Sequence, residues 1–206
     1  MTSKIKIKET ALLVIDVINS CCHKNCEIEK WGKSFNKIRR ILPKLKKFIA
    51  NYKSTGGNVI FVNCVSWKKE FLPLNINELY KDPSCEYYSS DKSGFKEEFF
   101  EISPDKNDFV ITKNSYDAFT SLELNNLLGK LKVKYCVITG VFGDGCVNST
   151  IQGGFSSGYN FIILKDLIET TDVKIRQKLQ KLLKDYTWPV MFGKTINSEY
   201  FFDFVK

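Results

Sequence analysis

Short apolar segments alternate with amphipathic helical segments along most of this chain, and this alternation constrains the fold more than any other feature. The segment from Ala11 to Val17 is apolar except for Asp16 near its end, which is typical of a strand that is buried on both faces of a sheet. From Ser34 to Tyr52, apolar residues recur at the spacing of one helix face. A glycine pair then ends the helical segment, and a second apolar strand, Asn58 to Val65, follows it.

The same order of elements recurs in the second half of the chain. This alternation predicts an α/β fold, a single three-layer domain over residues 1–206 with a mostly parallel, Rossmann-like sheet and helices on both faces. A length of 206 residues fits one domain. The predicted strands are Asp108 to Thr112, Tyr135 to Val141 and Asn160 to Leu164, and the predicted helices are Ser121 to Leu131, Gly145 to Ser157 and Val173 to Tyr186.

Residues 66–105 interrupt the alternation with a polar, aromatic-rich stretch that contains Pro73, Pro83 and Pro104. A connection of this length is unusual inside a compact domain, and long connections of this kind are commonly functional. We therefore expect residues 66–105 to form a lid or a substrate loop. The aromatic tail near the C-terminus is expected to pack on the body of the protein or on a partner subunit.

Charge and cysteine content exclude several classes of protein. Lysine and arginine total 31 against 23 acidic residues, but they concentrate in helix-like segments, where solvated faces explain them, and no nucleic-acid-binding motif accompanies them. No apolar run reaches the roughly 18 residues of a membrane span, and Met1 to Glu9 does not resemble an export signal. Seven cysteines, an odd number, fit reduced thiols. We expect a cytoplasmic protein with a small-molecule substrate and with neither a nucleic-acid nor a membrane partner.

Three chemically active side chains follow predicted strands. Asp16 ends the first strand, Lys113 follows the strand that ends at Thr112, and Cys146 lies just beyond Val141 in the glycine-rich sequence TGVFGDGCVNST. Ligands of open parallel sheets collect at the carboxyl ends of the strands, so the fold is expected to bring these residues together. Backbone N–H groups at a helix start hold an oxyanion and lower the pKa of a thiol, and a nearby ammonium lowers that pKa further.

Each feature also has a simpler explanation. A buried cysteine usually packs as a small apolar residue, and an Asp or Lys at a strand end often caps or pairs at the surface. The segment Gly140 to Gly145 could cradle a phosphate, but it lacks a Walker lysine and the full G-x-G-x-x-G spacing. The sequence CCHKNC, Cys21 to Cys26, could bind zinc, but its spacing fits no common zinc site, so we expect a loop beside the site entrance.

Four segments together resemble the isochorismatase-like cysteine hydrolases, the superfamily that includes nicotinamidase and N-carbamoylsarcosine amidase. ALLVIDVINS resembles the first strand of the family with its catalytic aspartate, here Asp16, and NVIFVNCVSW resembles the second strand. KNSYDAFTSLELNNLL is similar to the segment that opens with the catalytic lysine, here Lys113. VITGVFGDGCVNSTIQGGFSSGYNFIILKD resembles the signature block, whose nucleophile falls on Cys146. The resemblance covers almost the whole chain.

The resemblance implies a cofactor-free cysteine hydrolase that cleaves a C–N bond of a small amide, ureido or carbamoyl substrate through a thioester on Cys146. Asp16 would take the thiol proton, and the N–H groups of Phe142 and Cys146 would form the oxyanion hole, with Lys113 supporting the charge. In the family, the peptide bond four residues before the cysteine is cis, which here is the bond from Val141 to Phe142. The resemblance also implies a homo-oligomer.

Departures from the family pattern leave the substrate open. Ile18 stands where the family often has glutamine, so the polar group that steadies the aspartate is missing or replaced. The single histidine, His23, lies outside the region where nicotinamidases bind zinc, so no metal is expected. The candidates for substrate binding are one amide and several aromatic side chains: Asn19, Trp67, Tyr116, Phe119 and Phe142.

Two other functions stay open at this point. Isochorismatase itself cleaves a vinyl ether through protonation by the aspartate and does not need the thiol, so the presence of Cys146 favours the amidase. A non-catalytic family member would act as a binding or assembly subunit, and the complete set of Asp16, Lys113 and Cys146 argues against it.

Overall fold

The computed structural model describes residues 5–27, 34–66, 68–79 and 93–206. The strands are β1 (Thr10–Ile15), β2 (Asn58–Cys64), β3 (Phe109–Lys113), β4 (Tyr135–Val141), β5 (Asn160–Glu169) and β6 (Gly193–Ile196). They form one sheet in the order β3-β2-β1-β4-β5-β6, and all neighbouring strands are parallel. The strand order reverses between β1 and β4, and in sheets of this type the ligand crevice lies at that point, beyond the carboxyl ends of the strands.

Helices cover both faces of the sheet, as predicted. β1 is buried along its whole length, because its alternate side chains enter two separate apolar clusters. Leu13 and Ile15 pack in the cluster under helices α4 (Leu122–Lys130) and α5 (Asn148–Ser156), and Leu12 and Val14 pack in the cluster under helix α2 (Asn36–Ser54). The helices are α1 (Asn19–Cys22), α2 (Asn36–Ser54), α3 (Leu74–Leu79), α4 (Leu122–Lys130), α5 (Asn148–Ser156), α6 (Lys174–Leu182) and α7 (Phe201–Phe204).

The structure differs from the sequence prediction mainly near the C-terminus. β5 continues to Glu169, and the short strand β6 was not predicted, since four half-exposed residues carry no clear apolar pattern. The helical path also does not end at Tyr186, because after α6 the chain continues in wider, π-helical turns through Pro189 to Phe192. Trp188 fixes this stretch, since its ring is fully buried and its Nε1 donates to the side chain of Asn148 over 3.0 Å.

The aromatic tail packs on the body of the protein. The ring of Phe201 is fully buried and contacts Phe48 and Tyr52 of α2. Near the end of the chain, Val205 forms a parallel β-bridge with Ile5. No helix in the described ranges has both the length and the apolar character needed to cross a membrane.

Candidate active site

Asp16 immediately follows β1 at the centre of the carboxyl edge of the sheet. Its backbone has a φ of 49°, in the left-handed region that residues other than glycine rarely adopt. Such a conformation costs about 1–3 kcal/mol and persists where the surrounding structure enforces it. Here the Asp16 N–H donates to the carbonyl of Val62 in β2 over 2.8 Å, and the side chain is fully buried.

Lys113 is the last residue of β3, and its side chain reaches past the end of β2 to Asp16. The Nζ atom lies 2.9 Å from Oδ2 of Asp16, and both side chains are buried. Nζ also donates to the carbonyl of Ser115 over 3.0 Å and lies 3.5 Å from Sγ of Cys146. Burial disfavours the ammonium, but the charge and hydrogen bond of Asp16, together with the sulfurs of Cys146 and Cys64, outweigh burial and hold the pKa of Lys113 well above its usual value. Lys113 is therefore a fixed cation between the carboxylate and the thiol.

Cys146 lies in a π-helical turn, Gly143–Val147, between β4 and α5. Its thiol is buried and lies within hydrogen-bonding reach of the Asp16 carboxylate. Burial, and then the negative charge of Asp16, raise the pKa of Cys146, and Lys113 offsets this only in part. Lys113 lowers this pKa as expected, but burial and Asp16 outweigh it, so the net shift is upward. A neutral thiol becomes a nucleophile only when a base removes its proton, and the Asp16 carboxylate lies within reach of this thiol.

The backbone around Cys146 has the conformation that the motif predicts. The peptide bond between Val141 and Phe142 is cis. The Phe142 carbonyl accepts hydrogen bonds from the N–H groups of Gly145 at 2.9 Å and Val147 at 3.1 Å, which closes the turn. Gly140, at a φ of 109°, packs so tightly on β1 that an added Cβ would lie 2.2 Å from the Ile15 carbonyl oxygen.

Two glycines of the glycine-rich segment, Gly140 and Gly143, are packed tightly against protein, which argues against a phosphate cradle at these positions. An added Cβ on Gly140 would meet the backbone of β1, and one on Gly143 would meet the Gln180 side chain of α6 at 2.0 Å. These glycines therefore allow close packing around the turn that holds Cys146, and a phosphate would find this space already filled.

Two side chains that the sequence does not single out, Thr170 and Arg176, hold the turn Gly143–Val147 from outside. This turn carries the predicted nucleophile Cys146 and is named the catalytic turn below. The carboxylate of Asp144 accepts from Nε and Nη2 of Arg176 in α6, both at 2.7 Å, and from Oγ1 of Thr170 at 2.5 Å. The guanidinium of Arg176 also lies 4.8 Å from the centre of the Phe142 ring. Asp144 lies within the signature block, but Arg176 is 32 residues further along the chain. The sequence alone therefore does not indicate that these two side chains pair.

Cys64, at the end of β2, is a third residue that the sequence analysis did not assign to the site. Its Sγ lies 3.3 Å from Oδ1 of Asp16 and accepts from Nζ of Lys113 over 3.1 Å. Burial, and then the negative charge of Asp16, raise the pKa of Cys64, so its thiol keeps its proton. The carboxylate of Asp16 therefore contacts one ammonium and lies between two thiols.

The residues predicted to bind substrate have different surroundings. Asn19 uses its side-chain amide to donate to the Phe95 carbonyl over 2.8 Å, and Trp67 lies outside the described residues. Phe119 is buried in the apolar cluster beneath α4 and α5, whereas Tyr116 is half-buried at the edge of that cluster. Phe142 is half-buried between Phe35 and Arg176. Their roles toward a substrate remain predictions.

The segment Cys21 to Cys26 follows Asp16 closely in the chain. His23 accepts from the Asn25 N–H at Nδ1 over 3.0 Å, and its ring contacts the edges of Phe95 and Phe100. In the part of the chain that the structure describes, no group of three His, Cys, Asp or Glu side chains could hold a metal ion.

Comparison with known proteins gives the same family as the motifs. The family model for the isochorismatase domain matches residues 10–194. Ureidoacrylate amidohydrolase RutB of Pantoea ananatis (strain LMG 20103) is 23% identical over 184 residues, which cover 83% of this chain and 73% of that protein. The corresponding enzyme of Serratia proteamaculans (strain 568) is 23% identical over 172 residues, which cover 77% of this chain and 69% of the relative.

Solved structures show the same fold. A cysteine hydrolase from Pseudomonas syringae pv. phaseolicola 1448A superposes with a TM-score of 0.79 at 19% identity, covering 97% of this chain and 95% of the other. N-carbamoylsarcosine amidase from Thermoplasma acidophilum gives a TM-score of 0.66 at 18% identity, covering 93% and 97% of the two chains. With a family model that spans nearly the whole chain, the motifs and the fold lead to one assignment: the chain belongs to the isochorismatase family and is a hydrolase of that family.

Proposed function

We propose that this hydrolase cleaves a C–N bond of a small amide, ureido or carbamoyl compound through a thioester on Cys146. The observation that carries the proposal is the convergence of three buried side chains, with Nζ of Lys113 2.9 Å from Oδ2 of Asp16 and 3.5 Å from Sγ of Cys146. A nucleophile, a base and a fixed cation in contact are the components that acyl transfer needs. The names of two kinds of relative, ureidoacrylate amidohydrolase and N-carbamoylsarcosine amidase, support the substrate class.

The first half of the reaction forms the thioester. Asp16 takes the proton of the Cys146 thiol, and the sulfur attacks the substrate carbonyl carbon, so that the carbonyl electrons move onto oxygen. The oxyanion is held by the N–H groups of Phe142 and Cys146, and the positive charge of Lys113 stabilises it further. When the intermediate collapses, the C–N bond breaks and Asp16 returns its proton to the departing nitrogen.

The second half releases the acyl group. A water molecule gives a proton to Asp16 and attacks the thioester carbon, the C–S bond breaks, and the proton returns to the sulfur of Cys146. One carboxylate therefore acts as base twice and as acid twice in each cycle. Lys113 keeps its proton throughout, in agreement with its raised pKa.

Residues 66–105 are proposed as the lid or substrate loop. Support comes from the described end of this segment, which runs beside the residues that follow Asp16. Phe99 forms an antiparallel bridge with Ile18, and the N–H of Asn19 donates to the Glu98 carbonyl over 2.8 Å. Asn19, Trp67, Tyr116, Phe119 and Phe142 remain the proposed substrate contacts.

We also propose that the chain forms a homo-oligomer in the cytosol. Support comes from α6, which exposes its apolar face: its buried residue is the polar Gln180, whereas Ile175, Leu179 and Leu182 are exposed. Apolar residues spaced four and three residues apart lie on one side of a helix, as the contact residues of two packed helices do. In a symmetric dimer, the same face of the second copy packs against them. Cys22, Cys64, Cys136 and Cys146 are free thiols, which fits a reducing compartment.

Ammonia release from a panel of small amide, ureido and carbamoyl compounds tests the proposed reaction. The wild type is expected to release ammonia from at least one compound, and Cys146→Ala, Asp16→Asn and Lys113→Met are expected to lose this activity while they keep a folded-state melting transition. Vinyl ether hydrolysis that survives in Cys146→Ala would favour the isochorismatase reaction instead. Failure of the wild type on every compound, with tight binding of one of them, would favour a non-catalytic binding subunit.

A further inference from the structure

Cys64 contacts both Asp16 and Lys113, yet the proposed reaction gives it no chemical step. It is the last residue of β2 and is paired in register with Lys113 of β3. Its sulfur accepts from Nζ of Lys113 over 3.1 Å and donates to Oδ1 of Asp16 over 3.3 Å. Because Oδ2 of the same carboxylate pairs with Lys113 at 2.9 Å, the three side chains form a closed ring of contacts.

A disulfide with the nucleophile does not explain this arrangement. Cys64 ends β2 and Cys146 follows β4, and β1 lies between these two strands. Both cysteines are free thiols. The contacts of Cys64 point to Asp16 as the group on which it acts.

We propose that Cys64 is a positioning residue whose thiol, as a hydrogen-bond donor, holds the Asp16 carboxylate with one oxygen on Lys113 and one face toward Cys146. This inference rests on the proposed function, because it assigns the base of that reaction its orientation. A hydrogen bond donated to the charged form of a carboxylate favours that form. Ile18, two residues after Asp16, is buried and has no polar atom in its side chain, so it gives the carboxylate no comparable support.

The charged and titratable groups at the contacts between Cys64, Lys113 and Asp16 come from four parts of the chain. Lys113 on β3, Asp16 after β1 and Cys21 on α1 act electrostatically on Cys64, and Cys146 faces Asp16 from the catalytic turn. Burial is the main cause of the raised pKa of Cys64. At neutral pH Cys64 is therefore a protonated donor beside Asp16.

The test measures how fast iodoacetamide alkylates Cys146 between pH 5 and 9, with each cysteine followed separately by peptide mass spectrometry. Three variants separate the effect of the hydrogen bond from the effect of side-chain volume at this position. Cys64→Ser keeps a hydrogen-bond donor, Cys64→Val keeps the volume without a donor, and Cys64→Ala removes both. Melting temperatures of all variants show whether the fold is intact. No substrate is needed, so the result does not depend on identifying one.

Cys64→Val and Cys64→Ala are expected to need a higher pH for alkylation of Cys146, by up to about one unit, so that alkylation at pH 6 slows up to roughly tenfold. Cys64→Ser is expected to restore the profile to within about twofold of the wild type, since a hydroxyl also donates. A wild-type profile in Cys64→Val, or equal shifts in Cys64→Ser and Cys64→Val, would overturn the proposal.

Asp16→Asn separates this inference from the proposed function. If Asp16 is the base, this variant loses the wild-type pH dependence of Cys146 alkylation. Retention of that dependence in Asp16→Asn would contradict the proposed reaction itself and, with it, the role of Cys64. If no compound of the amide panel reacts but the profiles follow the expected order, the substrate class fails and the positioning role of Cys64 stands.

Discussion

Arg176→Ala tests whether the ion pair behind the catalytic turn stabilises the fold. The variant removes two charge-assisted hydrogen bonds of 2.7 Å to Asp144, whose side chain is only 5% exposed. Removing one partner of a buried pair costs about 3–5 kcal/mol. Because the Arg176 side chain is 30% exposed, solvent screening lowers the expected loss of unfolding free energy to about 2–3 kcal/mol.

Thermal unfolding at neutral pH measures this loss. For a protein of this size, each kcal/mol lowers Tm by about 2–4 °C, so the expected decrease is about 4–12 °C. Lys181→Ala is the matched control, because Lys181 lies on the same helix and pairs with Asp185 at the exposed surface. Pairs of that kind contribute little, so its Tm is expected to stay close to that of the wild type.

A double-mutant cycle with Asp144→Asn shows whether the effect belongs to the pair. If the two side chains are coupled, the double variant loses clearly less stability than the sum of the single variants. Equal decreases in Tm for Arg176→Ala and Lys181→Ala, or strictly additive effects of Asp144→Asn and Arg176→Ala, would refute the argument.

Three further predictions concern packing, assembly and pH. Gly140→Ala is expected to prevent soluble folding or to lower Tm by more than 10 °C, because the new Cβ would meet the Ile15 carbonyl oxygen at 2.2 Å, and Gly129→Ala, with open space at its Cβ, serves as the control. Leu182→Glu is expected to reduce the molar mass measured by light scattering to that of one chain, and an unchanged mass would exclude the outer face of α6 as the interface. The Tm is expected to fall as the pH rises above about 9, because burial raises the pKa of Cys136 and the unfolded chain then loses a proton that the folded state retains. Cys136→Val should reduce that slope, and an unchanged slope would contradict the assignment.

Much of the fold follows from the sequence because the central strands are buried on both faces. β4 has the predicted bounds, since its short run of mainly apolar residues is buried from Cys136 to Val141. β6 has four residues, and Pro189 suggested a helix end, so neither the sixth strand nor the π-helical stretch could be predicted. These features depend on tertiary contacts such as the burial of Trp188.

In the candidate site, too, some features follow from the sequence and others depend on tertiary contacts. The proximity of Asp16, Lys113 and Cys146 could be predicted because each lies at or just beyond a strand end within a recognisable motif. Nothing in the sequence distinguishes Cys64 from any other buried cysteine, since its contacts depend on Asp16 and Lys113 being next to it. The raised pKa of Cys146 could not be predicted either, because burial depends on the complete fold.

Mass spectrometry of the enzyme quenched during turnover tests the nucleophile most directly. With a compound of the panel that releases ammonia, the account predicts that the peptide containing Cys146 gains the mass of the acyl group, and that Cys146→Ala shows neither this adduct nor ammonia release. Full ammonia release by Cys146→Ala, with no acyl group on any peptide of the wild type, would contradict the thioester mechanism.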